Sequence, residues 1–93
     1  MDLKTVIQDI HRLNHQLELL ERKYGLMSAT FYDAYCSGEE PEDDAWVLDF
    51  EKWAGLYEVW RDRRAAYDLA VQQLRSQEIP VLQMMRPLAV PMG

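Results

Sequence analysis

His11 and His15 stand four residues apart in HRLNH, a spacing that puts two imidazoles on one helix face, where they could share a metal ion. A site of that kind needs a third ligand, and none lies nearby. The run also lacks the glutamate that follows the first histidine in a zinc-protease helix, so the pair reads as surface histidines. Asp43, Asp44, Asp49 and Glu51 could pair for acid–base work. Acids at a helix start, however, complement its positive pole without burial or a shifted pKa. Arg61, Arg63 and Arg64 in RDRR form the only basic cluster, with Glu58 and Asp68 at helical ion-pair spacing from Arg61 and Arg64. That pattern predicts a self-neutralised face rather than a phosphate footprint. Cys36 is alone, which excludes an internal disulfide and fits a reducing compartment, and it reads as a half-buried small hydrophobe. No phosphate loop, nucleophile elbow or zinc pattern is present. The sequence points away from an enzyme, and no catalytic, metal-binding or cofactor residue is expected.

The chain has 93 residues, 48% of them hydrophobic, and so is expected to fold as one domain at most. No run of eighteen apolar residues exists, and the start MDLKTVIQDI lacks the basic and apolar blocks of a signal peptide, so a cytoplasmic protein is expected. The net charge of -6 is unevenly placed: residues 39–58 hold eight acids and one base, whereas residues 59–93 hold three acids and five bases. Direct nucleic-acid binding is disfavoured by that balance, and a basic partner is favoured.

The elements that position these groups are helical. Leu3, Val6, Ile10, Leu13, Leu17, Leu20 and Tyr24 alternate steps of three and four, which predicts a coiled-coil-like helix from about Asp2 to Tyr24. Gly25 supplies its stop. Ser28 is a candidate cap for a short helix carrying Phe31, Tyr32, Ala34 and Tyr35, ending at Ser37 and Gly38. After the acidic turn EEPEDD, the residues Trp46, Phe50, Trp53, Tyr57, Trp60, Arg64, Tyr67, Val71 and Leu74 repeat the same spacing, with only Arg64 out of character. A third helix is therefore expected from about Asp44 to Gln77. The fold class read from this pattern is all-α: an antiparallel helical hairpin of two long helices joined by a short one, with an extended C-terminal tail. Residues 1–77 form the helical domain and residues 78–93 the tail. The aromatic side chains at helical spacing read as packing material.

Two features are left over. On the other face of the third helix Leu48, Gly55, Val59, Ala66 and Leu69 fall within a narrow arc, which the first helix cannot cover as well. Another helix, a second copy or the chain's own tail could pack there. The tail, IPVLQMMRPLAVPMG, holds three of the four prolines, three of the five methionines and the single charge of Arg86. Pro80, Pro87 and Pro91 forbid a continuous helix. Its apolar side chains, Val81, Leu82, Met84, Met85 and Leu88 among them, either fold back over the chain's own helices or dock with Arg86 into a partner's groove.

The string from Leu20 to Trp60, LERKYG followed by a serine-started FY helix, an acidic turn and an aromatic helix, resembles small acidic helical proteins of bacteria that act as antitoxin components of toxin–antitoxin modules. The resemblance implies neutralisation of a partner enzyme, such as a basic toxin or nuclease, by direct contact. A structural helical oligomer accounts for the two seams but gives the tail and the charge asymmetry no role. An acidic inhibitor that mimics nucleic acid through residues 39–49 is a third reading.

Overall fold

The computed structural model describes residues 2–85, and among these there are helices and no strands. Helix α1 spans Leu3–Tyr24, α2 spans Ser28–Cys36 and α3 spans Val47–Ser76. Single 3-10 turns occupy Asp44–Trp46 and Val81–Met84. The helical hairpin expected from the heptad spacing is therefore the fold. Its two long helices run antiparallel, because Asp9 of α1 meets Arg63 of α3 at 3.1 Å while Lys23 and Tyr24 meet Asp49 at 2.7 and 2.6 Å.

The spacing of α1 buries Val6, Ile10, Leu13, Leu17 and Leu20, one residue per turn, against α3. Gly25 ends the helix in the left-handed region at φ 69°, and its N–H and that of Leu26 both donate to the Glu21 carbonyl. Helix α2 starts differently from the expected serine cap. Met27 occupies the cap position without a side-chain bond, and the missing acceptor comes from the preceding helix, where Glu21 Oε2 accepts the Ser28 N–H at 2.9 Å. Asp43 Oδ1 accepts the Ala45 N–H at 2.9 Å, so at least one of the acidic-turn carboxylates serves as a cap.

All but one of the chain's aromatic residues lie between Tyr24 and Trp60, and the fold uses them as a core. Trp53 is fully buried and lies flat on Phe31, with ring centroids 4.0 Å apart and planes 3° from parallel. Tyr24 also stacks on Trp53, at 5.7 Å, and Phe50 meets both Phe31 and Tyr24 edge-on. Leu17, Leu20 and Ala54 complete the cluster. Beyond Ala54 no residue of α3 is buried, although Trp60, Tyr67, Val71 and Leu74 are partly covered.

After α3 the chain turns back through Glu78, at φ 58°, and Pro80. Val81 lies beside Tyr67, Val71 and Arg75, and Met84 beside Leu74 and Leu3. The described part of the tail thus folds onto the open end of the hairpin, one of the two arrangements its composition allows.

Candidate partner-binding surfaces

Three segments converge on a buried polar relay at the elbow, the end of the hairpin where α2 links the two long helices. The Trp53 indole N–H donates to Ser28 Oγ at 2.9 Å, and the Ser28 hydroxyl donates to Glu21 Oε2 at 2.7 Å. Ser28 is buried, and its N–H reaches the same carboxylate oxygen. Burying an indole and a hydroxyl is tolerable because each donor has an acceptor. Sequence spacing could not reveal this relay, since its members come from three elements. The one available hint is that a buried tryptophan calls for an acceptor.

Around the relay the charged groups are spoken for. Lys23 and the Tyr24 hydroxyl both donate to Asp49, and together they hold its carboxyl below the usual range, Lys23 more strongly. Asp9 is likewise held low, chiefly by Arg63. Asp49 is therefore a strut between α1 and α3. Arg64 pairs with Asp68 at 3.2 Å, as its spacing predicts. Arg61 departs from its expected pairing: its guanidinium lies over the rings of Tyr32 and Tyr57, and Glu58 accepts the Tyr32 hydroxyl instead. Cys36 is exposed at the last residue of α2, not half-buried. With partial burial and Glu58, its thiol pushes the Tyr32 phenol up to about 12, the thiol contributing most. His11 and His15 are exposed, and among the described residues no group of three side chains is placed to hold a metal.

The five residues of the outer stripe, Leu48, Gly55, Val59, Ala66 and Leu69, are all exposed, with Leu48 at 77% and Leu69 at 54%. Nothing lies within 4 Å of where a Cβ on Gly55 would stand. Of the tail residues singled out from the sequence, Val81 and Met84 face the chain's own helices, while Leu82 and Met85 are exposed. Arg86 and Leu88 lie outside the described residues.

Two clefts flank the elbow. One, of about 290 Å³, is lined by Asn14, Leu17 and Glu21 of α1, Met27 to Ala29, and Tyr57 and Trp60 of α3; the buried Trp60 N–H has no hydrogen-bond partner there. The other, of about 150 Å³, is lined by Phe31, Tyr35 and Phe50, by Glu39 and Glu40, and by Leu26 and Ala34. The sequence marked its acids and its rings separately, without bringing them together.

Comparison of the chain with protein-family models, curated proteins and solved structures found no match. Among the described residues no helix is long and apolar enough to cross a membrane.

Proposed function

We propose that this chain is a non-catalytic protein-binding module that neutralises a basic partner enzyme by direct contact in the cytoplasm, in the manner of an antitoxin. The observation that carries this reading is the cleft lined by Glu39 and Glu40 together with Phe31, Tyr35 and Phe50. A lysine or arginine from a partner would meet carboxylates and aromatic side chains together there, a combination that recognises a cation better than either alone. The surroundings agree in sign. Residues 15–58 hold eleven acids and three bases, a formal -8, whereas residues 2–14 with 59–85 hold five acids and six bases, a formal +1. Exposed Leu26, Met27 and Val47 add apolar area at the same end. Acidic steering of this kind raises association rates and weakens with salt.

The test is affinity purification of the full chain from its native host, followed by mass spectrometry of what co-elutes. A stoichiometric basic enzyme that is lost with Glu39→Lys and Glu40→Lys supports the reading. Recovery of the chain alone, or of a partner indifferent to those changes, refutes it. A structural helical oligomer is the second reading, favoured by the uncovered stripe on α3.

A further inference from the structure

The outer face of α3 has more than apolar character: its order of residues is self-complementary. Along the stripe the exposed positions run Leu48, Lys52, Gly55, Val59, Asp62 and Ala66, at steps of three and four. Reversing one copy and centring it at the level of Tyr57 places each member opposite a suitable counterpart. Leu48 meets Ala66, Val59 meets Gly55, and Lys52 meets Asp62, each pairing occurring twice. Among these six positions every large side chain then faces a small one and every charge faces its opposite. Gly55 offers the room this needs, since nothing approaches within 4 Å of its absent Cβ.

We infer that a second copy of this chain packs antiparallel along the outer face of α3, Leu48 against Ala66, Val59 against Gly55 and Lys52 against Asp62. Long-range charge selects the direction. A parallel pair would set the two -8 elbows side by side and put Lys52 against Lys52 and Asp62 against Asp62. An antiparallel pair sets each -8 elbow beside the +1 end of the other copy. The isologous geometry closes on itself and leaves no unpaired edge for further growth. The acidic cleft at the elbow is on different residues, so this pairing and the proposed partner contact stand or fall separately.

Sedimentation equilibrium of the full chain decides the matter, with circular dichroism confirming that each surface variant stays helical. The expected particle has twice the 11.0 kDa chain mass. Ala66→Glu should raise the dissociation constant at least tenfold. Lys52→Glu and Asp62→Lys should each weaken the pair, and the two together on one chain should restore it. A Cys36→Ser chain carrying Leu48→Cys, mixed with one carrying Ala66→Cys, should form a disulfide between copies. A monomer at hundreds of micromolar overturns the inference. So does a dimer that the double charge exchange fails to rescue, or one in which two Leu48→Cys copies link to each other instead.

Discussion

Around Trp53 three helices converge, whereas beyond Trp60 only α1 and α3 remain together until Val81–Met84 closes over their open end. The two regions share the same pair of helices and nearly the same spacing of large residues. What separates them is the third element. At nine residues, α2 is about 14 Å long beside a helix of about 45 Å, so one half of the hairpin has a three-sided core and the other a single seam. The elbow half contributes Trp53 and Ala54 to the buried set from α3, and the open half contributes none. The same spacing that buries Val6 and Ile10 of α1 in the open half leaves Tyr67, Val71 and Leu74 of α3 only partly covered. Spacing sets which side faces inward, and on α3 full burial comes only where α2 adds a second neighbour.

The sharpest way to break the contrast is to remove its largest member. Trp53→Ala should cost about 3 to 5 kcal/mol in denaturant unfolding, most of the stability of a domain this size. Leu74→Ala, the same kind of truncation in the half-covered region, should cost only about 1 kcal/mol. Equal losses at the two sites would mean that the open half is as firmly held as the elbow. Ser28→Ala comes next: it strands the Trp53 indole N–H and removes one donor from Glu21, so a loss of about 1 to 3 kcal/mol is expected by the same measurement.

Acid separates the halves more gently. Asp49 at the elbow and Asp9 in the open half both titrate below the ordinary value of 3.8 in the folded chain. Each contributes stability that is complete above that value and is lost as the pH falls below it toward the folded pKa. An acid titration followed by helicity should stay flat from neutrality down to about pH 4 and then decline. Asp9→Asn should flatten the decline reported by amide exchange in the open half and leave the elbow's response in place. The smallest effect belongs to Gly55→Ala. The position is exposed, helical and free of close neighbours, so the helix should gain about 0.5 to 1 kcal/mol in the monomer.

The long elements were legible in the sequence because their signals are local. A residue at every third or fourth place names the inward side of α1, and Gly25 names its end. The stripe on α3 was legible for the same reason, and all its members are exposed. Other features were not local. Ala54 is buried in the cluster that Leu17, Leu20, Phe31 and Trp53 form from three helices, and alanine carries no signal of its own. Glu21 caps a helix it does not belong to, Arg63 reaches back to Asp9, and Arg61 lies over the Tyr32 ring of α2. Each of those contacts depends on the angle between segments, which residue spacing within one segment does not encode.

The tryptophans mark the same division in light. Trp53 is sealed, stacked and hydrogen-bonded, Trp46 and Trp60 are partly covered, and none lies beyond Trp60. Indole emission therefore watches the elbow and is nearly blind to the far end of the hairpin, while the amide signal in the far ultraviolet counts both. When the two ends melt together, the two optical curves coincide. When the single-seamed end frays first, ellipticity starts to fall while the emission of Trp53 still reports a dry ring.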